Sequence, residues 1–588
     1  MPVRYLGAWL AVTLIACAVV YARSRITLGP MPDRASQAWA FAFLTAAASG
    51  KERPAAPDSA RAYRASGPIL VSAYDRGRRI ARYVGTTDLV ATVERAVQHM
   101  DAVPKRTIWR VLVTRGEGPL LASAPVLSNF SLVPLRDGLV ARVAGADEKE
   151  PRTAYLTPDD LMELESYDNA VKPPIPDLTF GSNLEPLFES LAESLALAPA
   201  TLSTHASVKR AVFAPLSIAN DYEKFTRDDV LEAAREHAKF ILRHQSPEGR
   251  FTYIYDARHD RESPGAGYSL ARHSGTAFFL ARAARELQMP EAAEGALRAL
   301  DFLRAEALTT CGAPDRLCNI WNDHVEFGAS ALGALAAAEL LQTRDEPSVR
   351  ELLRGLLAFL RAQQRPDGEF MHEYDREADR PVDIQRMYYS GEAANALFAG
   401  YERLGDPRDK AAAGRVMTHL TGAGWSFFGS RYFYGEEHWT CQAVARAAAH
   451  MDVSSALDFC LRWGGYQARL QFLPGETPWN STGAYGVTPV LLPRVTMSAS
   501  RVEALVPIYR LLLHRGQQNE ELRQMLERSV GLLLRMRWDA TDAHLFARPD
   551  AAMGGIPSTL AQLNSRADMV QHAGSALLGW ADLLTQSD

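Results

Sequence analysis

Cysteine is scarce in this chain. There are five among 588 residues and no two form a Cys-x-x-Cys pair, which removes the common zinc frameworks. Positive charge is not in excess either: 64 Lys and Arg stand against 69 Asp and Glu, a formal charge of -5, and no basic stripe carries interleaved aromatics. Nothing in that balance favours a nucleic-acid partner. Long apolar runs are almost absent. The one uncharged stretch of note, Tyr5–Ala22, would reach about 27 Å as a helix, close to the thickness of a bilayer core. What remains is ordinary for a folded protein, 47% hydrophobic and 23% charged. The length calls for several domains or one large repeat domain.

Tyr5–Ala22 predicts an N-terminal transmembrane helix or uncleaved signal within residues 1–30, so the membrane is one expected partner. Within it, Leu14-Ile-Ala-Cys17 resembles a bacterial lipobox, the alternative form of anchor. Arg4 precedes the stretch and Arg23 and Arg25 follow it, which leaves its orientation open. Cys311 and Cys318 bracket a six-residue loop and read either as a disulfide or as two free thiols. A disulfide would place the body in an oxidising, extracytoplasmic (periplasmic) compartment.

Residues 31–67, rich in Ala, Pro, Ser and Arg, read as a linker, although Ala38–Ala48 is apolar enough to lie on a membrane or on the protein body. Residues 68–182 predict a small α+β domain. Ile69–Ala73, Trp109–Val113, Pro119–Val126 and Gly138–Val143 are short β-type runs, Asp88–Met100 has helical periodicity, and Pro173-Pro-Ile-Pro-Asp177 ends the unit. From 183 to 588 the pattern is helical. Charged amphipathic helices starting near Asp228, Pro290, Pro347, Pro407, Val453 and Gln518 alternate with helices rich in Ala, Gly, Ser and Leu starting near His273, His324, Tyr389, His438, Arg501 and His572. An outer ring facing water and an inner ring buried on both sides is the arrangement such alternation requires, a mainly α fold of (α/α)6-like toroid type. The long, aromatic-rich loops enter the second series, so that end is expected to be the active face.

One segment occurs twice: Gln245-Ser-Pro-Glu-Gly-Arg-Phe251 and Gln364-Arg-Pro-Asp-Gly-Glu-Phe370, each continuing to Tyr-Asp. It resembles the QW-type repeat of terpenoid cyclases and prenyltransferases, with Phe in place of Trp, and that resemblance implies a toroid in which the repeat clasps one helix end to the next. The cyclases' Asp-x-Asp-Asp and Asp-Asp-x-x-Asp runs are missing. The residues at the helix starts look more like those of six-hairpin glycosidases, lyases and sugar epimerases. That second resemblance implies an enzyme acting on a glycan, or on a lipid-linked substrate given the anchor, with no cofactor and no metal. An isoprenoid-processing toroid and a non-catalytic envelope scaffold are the competing readings.

The candidate catalytic residues stand at those helix starts. Glu392, Glu436 and Asp323 are carboxylates that helix N-termini would keep ionised, Glu437 adjoins Glu436, and His273 and His438 could carry protons near neutral pH. Candidate substrate contacts are Arg272 as a clamp for an anionic group, with Tyr268, Trp321, Tyr388, Tyr389 and Trp439 as ring platforms. His438 and Cys441, three apart, are a weak metal-ligand pair with no further ligand in sight.

Overall fold

The computed structural model describes residues 25–100, 103–104, 107–120, 132–144, 151–167, 183–199, 202, 207–216, 222–265, 267–422, 438–476, 481–486, 493–559 and 561–584. Tyr5–Ala22 lies outside them. Among the described residues no helix is long and apolar enough to cross a membrane.

The N-terminal unit is built on six strands: β1 (Ile69–Asp75), β2 (Arg78–Val84), β3 (Ile108–Pro119), β4 (Asp137–Val143), β5 (Arg152–Leu156) and β6 (Ser207–Pro215). They form one antiparallel sheet in the order β2-β1-β3-β6-β4-β5. Strand alternation sends Ile69, Val71 and Ala73 into the core beneath helices α1 (Arg34–Ala48) and α2 (Leu89–His99). The segment expected as a linker is therefore folded. Asp33 caps α1 by accepting from Ser36 N at 2.8 Å, and Trp39, Ala40, Phe43 and Leu44 recur on one buried face. Helices α3 (Pro158–Glu163) and α4 (Glu185–Ser194) pack with β4 and β5. Since β6 lies between β3 and β4, the sheet unit extends past the expected boundary at 182 to about residue 216.

Among the described residues, twelve long helices form the ring of the second unit. The outer set is α5 (Arg227–Arg243), α7 (Pro290–Glu306), α9 (Pro347–Ala362), α11 (Pro407–Thr421), α13 (Ser454–Ala468) and α15 (Glu520–Met536). The inner set is α6 (Leu270–Glu286), α8 (Phe327–Leu340), α10 (Tyr389–Leu404), α12 (His438–Ala447), α14 (Val495–His514) and α16 (Ala567–Leu584). Each inner helix packs on the next and α16 returns to α6, so the ring is closed. Outer helices cover the inner helix before them, and α5 covers α16, joining the start of the ring to its end. Composition explains the two roles. α9 buries Val349, Leu352, Leu353, Leu356, Leu357 and Leu360 on one stripe, whereas every residue of α8 is buried, including its glycines and alanines. Gly328 is needed for that closeness, because Tyr389 and Glu392 occupy the space its side chain would fill.

The repeated segment is a clasp. Just past α5, Gln245 Nε2 donates to Gly249 O (3.2 Å) and to Gly295 O on α7 (2.8 Å), and its Oε1 accepts from Arg298 (2.7 Å). Gln364 repeats this past α9, donating to Gly368 O (3.0 Å) and to Ala412 O on α11 (2.9 Å) and accepting from Arg415 Nε (3.1 Å). A third clasp follows α13: Gln471 Nε2 donates to Met525 O on α15 and Oε1 accepts from Arg528, both at 2.8 Å. Phe251, Phe370 and Tyr485 bridge back to these glutamines and are buried. Between α7 and α9 a different device serves, the hairpin Leu308–Cys311 with Ala313–Trp321, closed by a Cys311–Cys318 disulfide. The clasp needs only architecture, so the terpenoid-cyclase resemblance carries no chemistry further.

All inner helices run the same way, and long connections enter them at one mouth of the ring. The sheet unit docks on that side. Arg110 grips Asp159 at 3.0 and 3.2 Å, Asp159 lies 3.5 Å from His544 in the connection into α16, and Tyr74 packs edge-on against His544. These groups are deeply buried, and desolvation, reinforced by the Arg110 charge and only partly opposed by Asp159, keeps His544 below its ordinary value.

Candidate active site

The mouth with the long connections gathers residues from all six inner helices. His438 opens α12, buried. Glu503 lies on α14, which begins at Val495 rather than near Arg501, so it sits in the third turn. That register matters. Arg501, two residues and about 200° away on the helix, points outward to accept no role in the centre, donating instead to Gln467 Oε1 at 2.8 Å. His572 lies in the second turn of α16 and donates from Nδ1 to Glu503 Oε2 at 2.5 Å. His438 Nε2 stands 3.8 Å from the same oxygen, and the two imidazole rings are 5.1 Å apart, edge to face. Gln571 donates to Glu503 Oε1 at 3.3 Å and fixes the carboxylate's other arm.

One turn earlier on α16, Asp568 takes Arg272 of α6 (3.2 Å) and Arg566 (2.5 Å). Burial pushes the Asp568 carboxyl up, but the two guanidinium groups overcome it and hold the pKa below the usual range. Glu326, the N-cap of α8, is raised by burial, with Ala271 N–H and Arg272 offsetting part of the shift. Tyr389 is raised by burial and by the charges of Glu392 and Glu326. Arg272, Glu326, Tyr389 and Glu392 thus share one electrostatic neighbourhood.

His572 is the group whose charge matters most. Burial disfavours its imidazolium, yet Glu503, by charge and hydrogen bond, and Asp568 raise its pKa above the ordinary value. A raised folded pKa means the pair's contribution to stability is fully present below about pH 6.5 and is lost as pH rises through the elevated value. In a nitrogen-resolved titration the His572 ring is expected to titrate above a free histidine, and Glu503→Gln should bring the midpoint down. A midpoint unchanged by Glu503→Gln would contradict this coupling.

The expected site residues separate into three groups. His438, Trp439, Arg272, Glu392 and Tyr389 belong to this mouth, and Tyr388 is the half-buried N-cap of α10 with a positive φ of 76°. Trp439 is no open platform: 2% exposed, it lies 5.0 Å from His438, 6.3 Å from His572 and 6.3 Å from Phe278, as a floor beneath the two histidines. A second group faces away from the centre. His273 bonds Tyr268 OH (2.7 Å) and Ala299 O (2.9 Å) with its two nitrogens, and burial lowers it to about 4, so it is a structural joint and not a proton carrier. Tyr268 and Trp321 pack on one another as part of that joint, their rings 5.8 Å apart and tilted by 50°. Asp323 is corrected likewise, being an exposed turn residue (φ 64°) at the tip of the Trp321–His324 hairpin, with the N-cap role falling to Glu326. Glu436 and Glu437 lie outside the described residues.

Glu503, His572, Asp568 and Glu326 were not among the expected catalytic residues. Their signal was present in Ser500-Arg501-Val-Glu503 and Asp568-Met-Val-Gln571-His572, but only three-dimensional convergence singles them out. His438 Nε2, Glu503 Oε2 and His572 Nδ1 lie within 4.8 Å of one another, a two-imidazole, one-carboxylate set of the kind that suits a first-row transition ion. An ion there would have to displace the Glu503–His572 proton. The His438–Cys441 ligand pair is ruled out, because Cys441 is bonded to Cys460.

No protein-family model matches the chain, and no curated protein matches it. Solved structures similar to it include a sugar epimerase from a ruminal bacterium, 12% identical over 62% of this chain and 100% of that one, with a TM-score of 0.47. A D-mannose isomerase is 12% identical over 63% of this chain and 100% of its own, TM-score 0.47. The α-1,6-mannanase of Salegentibacter sp. HEL1_6 is 12% identical over 61% and 100%, TM-score 0.40.

Proposed function

We propose that the ring is a carbohydrate-active enzyme that moves protons at carbon, as a sugar epimerase, isomerase or lyase. The observation that carries this reading is the pair of imidazoles, His438 and His572, 5.1 Å apart on either side of one carboxylate oxygen of Glu503. Glu503 keeps His572 protonated, so His572 is the proton donor and His438 the acceptor. In the step proposed, His438 takes a proton from a carbon next to a carbonyl or carboxyl group, and the C–H electron pair moves into that group to give an enediolate. Arg272 faces the negative charge that develops, and His572 delivers its proton to the intermediate. For an epimerase the returned proton arrives on the opposite face; for a lyase it leaves with the β-oxygen substituent.

Hydrolysis fits less well. It asks for one protonated and one ionised carboxyl flanking the bond. Here Asp568 is held ionised by two arginines and Glu503 is committed to His572. An isoprenoid substrate fits less well again, since the described part of the mouth presents Arg, Asp, Glu and His. Two disulfides in the ring, together with Tyr5–Ala22, support a location on the oxidising side of a membrane to which the chain is anchored.

The test is incubation of the protein in heavy water with neutral and acidic mono- and oligosaccharides, followed by mass spectrometry. Recovery of an isomeric sugar carrying solvent deuterium on carbon, or of an unsaturated sugar fragment lacking the elements of water, is the expected result. Cleavage to saturated fragments that have gained the elements of water and carry no deuterium on carbon would overturn the proton-transfer reading in favour of hydrolysis.

A further inference from the structure

The opposite mouth of the ring holds a second pocket. It is an open cavity of about 380 Å³. All six inner helices line it, most of them through their C-terminal halves. That volume lies at the lower end of small-molecule sites and matches a monosaccharide-sized ligand.

Its chemistry is not that of a packing defect. Arg282 and Arg285 of α6, Arg446 of α12 and Arg510 of α14 contribute four guanidinium groups, which meet the three lining carboxylates Glu286, Glu339 and Asp582 and the neighbouring Glu402. Six parallel helices ending together concentrate the negative ends of their dipoles, which explains why cations collect here. Each arginine is also held in place: Arg282 by Glu286 (3.1 Å), Arg285 by Glu339 (2.7 Å), Arg446 by Glu402, and Arg510 by Asp582 (3.3 Å). Even so, two donor atoms of lining residues, Arg510 Nε and Gln442 Nε2, are enclosed and have no acceptor among the described residues. Enclosed donors are almost always matched, so an acceptor from outside the chain completes the set.

We infer that this pocket is a binding site for a sugar bearing an oxyanion, a carboxylate or a phosphate, distinct from the histidine-lined mouth. The anion answers Arg510 and Gln442 after a small side-chain rotation. Hydroxyl groups find acceptors in Glu286, Glu339 and Asp582, and Phe278 with Leu511 offers an apolar patch to a ring face. Phe278 does more. Its ring lies 6.3 Å from that of Trp439, which underlies His438 and His572, so an aromatic pair connects the pocket to the floor of the other site.

Calorimetric titration of the whole protein at low salt decides the matter, with D-glucuronate, D-glucose 6-phosphate and D-glucose as probes. At least one of the two anions is expected to bind about tenfold or more tightly than glucose, and which one does identifies the anion. Arg510→Met and Gln442→Leu, the second a neutral replacement of similar size that tolerates folding, should each weaken that binding by about tenfold, while Arg272→Met at the other mouth leaves it unchanged. Equal binding of all three probes, absence of binding, or parental affinity in folded Gln442→Leu would overturn the site. None of those outcomes bears on the proton-transfer proposal, because no residue of the pocket takes part in it.

Discussion

His572→Gln is expected to lower turnover of the sugar substrate by about 10²- to 10⁴-fold, the range associated with losing a positioned proton donor. Glutamine keeps a hydrogen-bonding amide near Glu503, so the fold should hold and the melting temperature should move little. Glu503→Gln should cost nearly as much, because the imidazolium would lose the carboxylate that keeps it charged. The double variant is expected to be hardly worse than either single one, since groups acting as a unit are not additive. A folded His572→Gln protein with undiminished turnover would remove the pair from the mechanism.

The second large effect concerns the ring itself. Gly249 has a φ of +96°, and a Cβ built there would lie 2.0 Å from the carbonyl oxygen of Arg298 on α7. Gly249→Ala is therefore expected to destabilise the ring by more than about 2 kcal/mol, combining a left-handed backbone with a clash against main chain that cannot rotate away. Gly405 supplies the control. Its φ is +74° with nothing within 4 Å, so Gly405→Ala should cost only the backbone preference, about 1 kcal/mol. Denaturant unfolding monitored by circular dichroism measures both. An equal loss at the two positions would mean that the close approach to α7 contributes nothing.

Much of the ring was legible because its helices announce themselves locally. Pro290, Pro347, Pro407 and Tyr389 each open a helix at the position expected. The sheet was only half legible. Ser207–Pro215 fell within the stretch expected to be helical, and its place between β3 and β4 depends on pairing across a long stretch of chain, which no local pattern expresses. A similar reason hid the third clasp, where Gln471 and Tyr485 are separated by a longer insertion than in the other two copies. At the site the limit was rotational. Placing the start of α14 six residues late leaves no means of telling that Glu503 faces the centre and Arg501 does not. His273 failed in the opposite way: a histidine beside a helix start looked reactive, although its tyrosine and carbonyl partners sit in other segments. Cys441–Cys460, which ties α12 to α13 three residues beyond His438, was not anticipated at all.

The packing of α5 against α16 joins the first and last helices of the ring. On the ribosome, the sheet unit has all its strands well before α16 exists, whereas α5 must wait for the final turn of the chain to find its partner. Loop-closure entropy grows only slowly with length, so the delay costs little in final stability. Its cost lies in time, because the apolar face of α5 and the unfinished edge of the inner ring stay uncovered until synthesis ends.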